Sequence, residues 1–85
     1  MKFLRSNRFK RQYRKLDSGI QNKVKKILVF MADDLKDSSL KIKKMRGIEA
    51  WEVRIDYRYR MSFGIMGDVV VLYAVGMHDE GLGKK

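Results

Sequence analysis

Trp51-Glu-Val-Arg-Ile-Asp-Tyr-Arg-Tyr-Arg-Met-Ser-Phe63 places Trp51, Val53, Ile55, Tyr59, Met61 and Phe63 at odd positions and a charge or hydroxyl at every even one. A period of two marks half-buried strands, here a β-hairpin. If the odd residues of both strands face one core, the register that superimposes them sets Val53 opposite Met61 and Arg54 opposite Arg60. Directly opposed side chains stand roughly 5 Å apart at Cβ, where like charges destabilise a sheet. The pair therefore holds a place for an anion between two guanidiniums, a phosphate above all. The plainer alternative is a solvated hairpin face on which the arginines splay apart.

Downstream, Gly64-Ile-Met-Gly67-Asp68 carries the chemistry of a reversal, and Val69-Val-Val-Leu-Tyr-Ala-Val75 is continuously apolar. A run apolar on both faces predicts an interior strand. A tight turn near Gly67 pairs Ser62 with Leu72, Arg60 with Ala74 and Arg58 with Gly76, so the small residues Ala74 and Gly76 leave open space beside the arginines. His78 continues the same parity just past the strand, unless a one-residue bulge turns it away. By itself, a lone histidine after a strand reads as a surface or turn residue.

Upstream, Met1-Lys2-Phe3-Leu4 reads as a short first strand. From Asn7 onward Phe9, Tyr13 and Leu16 recur at helical spacing among Arg8, Arg11, Arg14 and Lys15, which predicts a helix basic outside and aromatic inside. Ser18-Gly-Ile-Gln21 reads as a capping box that opens a second helix, with Ile20, Val24, Ile27, Leu28, Met31 and Leu35 as its apolar stripe. Residues 36–50 show no clear period. Leu40 and Ile42 dip toward the core there, and Lys41, Lys43, Lys44 and Arg46 surround them. No repeat, proline or linker divides the chain, so residues 1–85 are expected to be one domain. Its expected class is α+β: a short N-terminal strand, two helices, then an antiparallel three-stranded meander with the helices on one face of the sheet.

Eighty-five residues of which 45% are hydrophobic suffice for one thin core. The net charge of +10 is concentrated: residues 1–26 hold ten Lys or Arg against Asp17 alone. Such a field favours a polyanion, be it nucleic acid, a membrane surface or an acidic protein. Neither helix offers the exposed apolar face that membrane adsorption needs once its stripe is buried. The absence of cysteine excludes disulfides and thiolate metal sites. With a single histidine besides, no metal and no small-molecule cofactor are expected. Nothing reads as a signal peptide or spanning segment, and a reducing cytoplasm is the expected compartment.

Glu52 shares the even face with Arg54 and Arg60. One carboxylate, two guanidiniums and, with His78, one imidazole are the parts for cutting a phosphodiester without metal: arginines hold the phosphate, and a group titrating near neutrality moves a proton. An RNA 2′-hydroxyl would serve as internal nucleophile. Ser62 is the sole hydroxyl in the cluster, with no second histidine to activate it. Glu52 equally reads as a structural ion-pair partner of Arg54 or Arg60.

Trp51-Glu-x-Arg54, Tyr59-Arg60-Met-Ser-Phe63 and Val75-Gly-Met-His78-Asp79, in this order and spacing, resemble the sheet signature of the RelE/ParE toxin superfamily. The Phe9-x-x-x-Tyr13-x-x-Leu16 helix, the second amphipathic helix and Lys43-Lys44-Met45-Arg46-Gly47 are similar as well, so the resemblance spans nearly the whole chain. It implies a toxin of a type II toxin-antitoxin system, acting in the RelE-like branch as an endoribonuclease that cuts messenger RNA on the ribosome. The His78-Asp79 ending looks most like YafQ-type toxins. Carried over, the resemblance makes Arg60 the phosphate and transition-state arginine, Arg54 its basic neighbour and His78 the acid/base residue, with Glu52 in the catalytic group. Lys43, Lys44, Arg46 and Arg58 become RNA contacts. The implied partners are a cognate antitoxin and the ribosome with its message, the ribosomal RNA being met by the basic first helix and the lysine-rich loop. Two departures stand out: Glu52 replaces the lysine of RelE proper, and Gly81 and Leu82 lie where several relatives carry a base-stacking aromatic residue. The ParE branch implies a DNA gyrase inhibitor instead, which needs no acid/base residue beside clustered arginines. A non-catalytic RNA- or ribosome-binding module is the third reading, and it predicts salt-sensitive binding without cleavage.

Overall fold

The computed structural model describes residues 1–35 and 40–77. The elements are β1 (Lys2–Arg5), α1 (Asn7–Arg14), α2 (Ser18–Asp33), β2 (Ile42–Lys44), β3 (Trp51–Arg54), β4 (Tyr59–Met66) and β5 (Val69–Met77). The fold is α+β, with a sheet ordered β1-β5-β4-β3-β2 in which β1 runs parallel to β5 and the other pairs are antiparallel. The expected meander is its centre. Two short strands extend it: β1 joins the β5 edge, and β2, which lies in the stretch read as lacking a period, pairs with β3.

Packing explains the parity of the hairpin. Val53, Ile55, Met61 and Phe63 are buried on the helix-covered face, in one cluster with Phe9, Ile20, Val24 and Met31 from the helices and Val70, Leu72 and Val75 from β5. Each fully buried side chain of this size contributes about 1.5–3 kcal/mol through removal of apolar surface from water. A one-residue slip would turn the whole odd set away from the helices. Trp51, half-buried at the end of β3, stacks on Phe63 with ring centroids 6.4 Å apart.

The second helix is capped one position before the residue that the capping-box reading names. Asp17, not Ser18, is the N-cap of α2, and its carboxylate accepts from the Ile20 amide at 2.9 Å. The Gln21 side chain does not return to the cap. It donates to the Tyr13 carbonyl at 2.9 Å and so ties the start of α2 to the end of α1. Asp17 carries a full negative charge at the positive end of the helix dipole, which favours it over the neighbouring serine hydroxyl. Ser6 caps α1 by accepting from Phe9, and its hydroxyl donates to the Tyr73 carbonyl of β5.

The β4–β5 turn places Gly67 at φ 63° and follows it with a residue at negative φ, the order required at a two-residue hairpin loop of type II′. The register then shifts at Ser62/Phe63: Phe63 pairs with Leu72 but Ser62 with Ala74, which leaves Tyr73 as the extra residue of a β-bulge. Beyond the bulge Arg60 pairs with Gly76. The expected partners Ser62–Leu72, Arg60–Ala74 and Arg58–Gly76 are thus each displaced, and Arg58 lies in the β3–β4 loop outside any strand.

Candidate functional site

Arg54 and Arg60 are directly paired in the β3–β4 ladder, the register expected from the hairpin's alternation. The Arg54 amide donates to the Lys41 carbonyl at 3.1 Å, which aligns Lys41 with them just ahead of β2. Lys41, Arg54, Arg60 and Gly76 therefore form one row across the sheet face opposite the helices. The next row is Lys43, Glu52, Ser62 and Ala74. Three cations in one row at strand spacing repel one another, a cost that a bound anion would convert into attraction.

A groove of about 360 Å³ opens along this row, lined by Leu40, Lys41, Ile42, Lys43, Arg54 and Arg60. Among the described lining residues no carboxylate neutralises the four cations. The open space lies on the β2 side of the arginines, not over Ala74 and Gly76: Ala74 is buried and neither residue borders the groove. Lys41 is a member of this site that the sequence reading left among surrounding lysines. Alternation in Leu40-Lys41-Ile42-Lys43, apolar then cationic, is the signal that places it beside Lys43 on the open face.

The two arginines differ in restraint. The Arg60 guanidinium donates from one nitrogen to the carbonyls of Asp56 and Tyr59, at 3.0 and 3.3 Å, which fixes its direction on the β3–β4 loop. That loop is itself pinned by Asp56, whose Oδ1 accepts from the amides of Arg58 and Tyr59 at 2.8 and 3.0 Å, while Oδ2 meets Lys23 of α2 at 3.4 Å. Burial pushes the Asp56 carboxyl up, but the Arg58 and Tyr59 amides and the Lys23 ammonium outweigh it and hold it below the ordinary carboxylate range. Arg54 is exposed and has no hydrogen-bonded or ionic side-chain partner among the described residues.

Glu52 is 4% exposed, on the same face. Its structural reading as an ion-pair partner of Arg54 or Arg60 is not met: among the described residues its carboxylate forms no salt bridge. Ser62 opposite it is buried too. Of the expected RNA contacts, Lys43 lies in the groove wall and Arg46 is exposed beyond β2. Lys44 is engaged locally, donating to the Ile48 carbonyl at 3.2 Å and pairing with Glu49 at 3.6 Å. Arg58 is exposed in the β3–β4 loop. His78 lies outside the described residues. Among those described, no cluster of three or more metal-ligating side chains occurs, and no helix is long and apolar enough to cross a membrane.

No protein-family model matches the chain, and no curated protein is similar to it in sequence. Its architecture is shared with solved structures. The intact Escherichia coli RelBE toxin-antitoxin complex contains a chain similar over 89% of this one and 94% of its own length, at a TM-score of 0.74 and 22% identity. A YoeB/ParE toxin from Agrobacterium tumefaciens matches over 92% and 99%, with a TM-score of 0.80 and 15% identity. YafQ from Escherichia coli BL21(DE3) matches over 89% and 91%, at a TM-score of 0.77 and 8% identity. The fold is that of the RelE/ParE toxin superfamily, the one the sequence resemblance implies.

Proposed function

We propose that this chain is the toxin of a type II toxin-antitoxin pair, an endoribonuclease that cuts messenger RNA on the ribosome and so inhibits translation. The observation that carries the reading is the cationic row: Arg54 and Arg60 face each other across one ladder, with Lys41 and Lys43 beside them and no carboxylate among the described lining of the groove. The RelE/ParE fold supports it, and the ribonuclease chemistry is our inference from the residues.

In this reading Arg60, aimed by two loop carbonyls, holds the scissile phosphate, and Arg54 follows the charge that develops on its oxygens. The RNA 2′-hydroxyl attacks phosphorus as its proton leaves to a base, the 5′-oxygen departs as it gains a proton, and a 2′,3′-cyclic phosphate remains. We assign the proton transfer to His78, which follows β5 two residues after Gly76, the ladder partner of Arg60. Lys43, Arg46 and Arg58 are assigned backbone contacts along the message, with Lys44 available if its local pair with Glu49 opens. The basic face of α1 is assigned to ribosomal RNA, and the cytoplasm is the compartment the reading requires.

The similar structures include toxin chains crystallised with RelB antitoxin. We infer an analogous partner here: an acidic, partly disordered segment that orders on a surface of this charge and blocks the groove.

The test is to incubate translating ribosomes with the protein and to map message 3′ ends. Codon-phased cuts are the expected result. Their absence would remove the nuclease reading, and inhibition of DNA supercoiling in a parallel assay would replace it with the gyrase one.

A further inference from the structure

Glu52 is the buried charged group that the phosphate-holding row does not use. The residue is 4% exposed, and among the described residues its carboxylate accepts no hydrogen bond and forms no ion pair, although Lys43 and Ser62 flank it in the ladder. A buried carboxylate without a donor is costly to keep, so Glu52 offers a favourable place for the N–H donors of a ligand.

It borders a cavity of about 560 Å³ whose other described lining residues are Lys43, Lys44, Met45 and Arg46. This volume lies within the ~300–1,000 Å³ typical of ligand pockets. Three cationic side chains on the walls disfavour a cationic ligand, and the carboxylate disfavours a bare anion. What suits both is a molecule anionic at one end that carries neutral N–H donors at the other. A nucleotide has this shape.

The donor pattern narrows the base. An ionised carboxylate only accepts, and its two oxygens match two parallel N–H donors. Guanine alone among the four RNA bases presents adjacent donors, N1–H and N2–H, on its Watson–Crick edge. Adenine and cytosine set one donor beside an acceptor, and uracil sets one donor between two acceptors. Met45 supplies apolar, polarizable surface for the face of the base. Glu52 stands two residues from Arg54 on one strand and one face, about 7 Å along β3 at ~3.3 Å per residue. One nucleotide therefore reaches from a phosphate on the arginine row to a base at Glu52.

We propose that the Glu52 cavity is a guanine-reading subsite for the nucleotide next to the phosphate held by Arg54 and Arg60. The assignment rests on the RNA-cutting reading above and makes Glu52 a specificity residue instead of a proton-transfer one.

The experiment measures binding of short 2′-O-methyl RNAs, which cannot be cut, to the whole protein by fluorescence anisotropy. The oligonucleotides differ at one position, guanosine, inosine or adenosine. Inosine lacks only the N2 amino group, so its affinity should fall on the order of tenfold, and that of adenosine further. In Glu52→Gln, whose amide offers one donor and one acceptor, the guanosine preference should vanish and adenosine should bind at least as well. Thermal unfolding of the variant reports whether it is folded, and the inosine comparison on the unmodified protein stands without it.

Equal, salt-dependent binding of all three oligonucleotides would overturn the subsite and leave the phosphate row intact. No binding of any of them would overturn the subsite, while the RNA-cutting reading stands or falls separately on the 3′-end mapping with translating ribosomes. A Glu52→Gln protein that keeps the guanosine preference but cuts every site more slowly would assign Glu52 to proton transfer and overturn the inference.

Discussion

Arg54 and Arg60 oppose each other across the β3–β4 ladder, yet only Arg60 is held, by the carbonyls of Asp56 and Tyr59. Its guanidinium is aimed before substrate arrives, whereas Arg54 keeps its rotamer freedom. Pre-aimed charge is worth more in a transition state than charge that must be ordered. Arg60→Ala should therefore slow cutting on the order of a hundredfold, about 2.7 kcal/mol of barrier, and Arg54→Ala less. Arg60→Lys should not rescue, because one ammonium cannot reproduce the planar fork that binds two carbonyls and a phosphate. Single-turnover cleavage rates with each variant decide this.

Repulsion across the same pair is a stability statement. Arg54→Gln removes it and should raise unfolding free energy by ~0.2–1 kcal/mol in phosphate-free buffer, measured by urea denaturation. Inorganic phosphate should then stabilise the unmodified protein more than the variant, since a ligand bound only by the native state adds to its stability. Equal phosphate shifts in both proteins would contradict an anion site between the arginines.

Asp56 couples loop order to pH. Its folded-state pKa lies below the ordinary 3.8, so the stability it contributes is fully present above that value and is lost as pH falls through the depressed one. Asp56→Asn keeps an oxygen for the Arg58 and Tyr59 amides and loses the charge. The stability difference between the unmodified protein and this variant should hold near neutrality and shrink below about pH 4. Asp56→Ala, which leaves both amides without their acceptor, should cost roughly 1–3 kcal/mol and should also slow cutting by loosening the loop that aims Arg60. Urea titrations from pH 7 to 3 and cleavage rates at neutral pH are the measurements.

Gly67 is a conformational requirement and not a steric one. A Cβ there meets nothing within 4 Å, but φ is 63°. Gly67→Ala should cost about 1–2 kcal/mol, a fall of roughly 4–8 °C in Tm per kcal/mol for a domain of this size. Gly67→Asn should cost less, because asparagine tolerates the left-handed region better. Gly64→Ala should be disruptive for another reason: the new methyl would collide with the Tyr73 hydroxyl and ring.

The hairpin was readable because parity and burial agree. Val53 and Met61 must both enter the core, which excludes every odd slip of the ladder, and the observed register that opposes Arg54 to Arg60 is one that keeps both inside. The same logic failed between β4 and β5 because Tyr73 is an extra residue in the ladder. A bulge leaves no mark in a run of seven apolar residues, where either face is equally plausible from composition. β2 went unseen because three residues are too few to establish a period, although Leu40-Lys41-Ile42-Lys43 contains one. The cap was misplaced because Asp17 and Ser18 both have capping side chains, and only the dipole argument favours the charged one. The burial of Glu52 was illegible, since a charged residue at an even position reads as exposed.

Strand β5 sits between β1 and β4, and its parallel bond to β1 joins Lys2 to Val69. A strand pair that spans most of a polypeptide can form only after both partners exist, and such distant pairing is slow because the loop must close first. While the protein is being synthesised, β1 and both helices emerge with their apolar faces uncovered, and the ladder that orders Arg60 against Gly76 has no second strand. The arginine ladder of β3 and β4 thus exists in sequence before the strand that backs it, and the sheet carrying the cationic row is closed only when residues 69–77 pair with both β4 and β1.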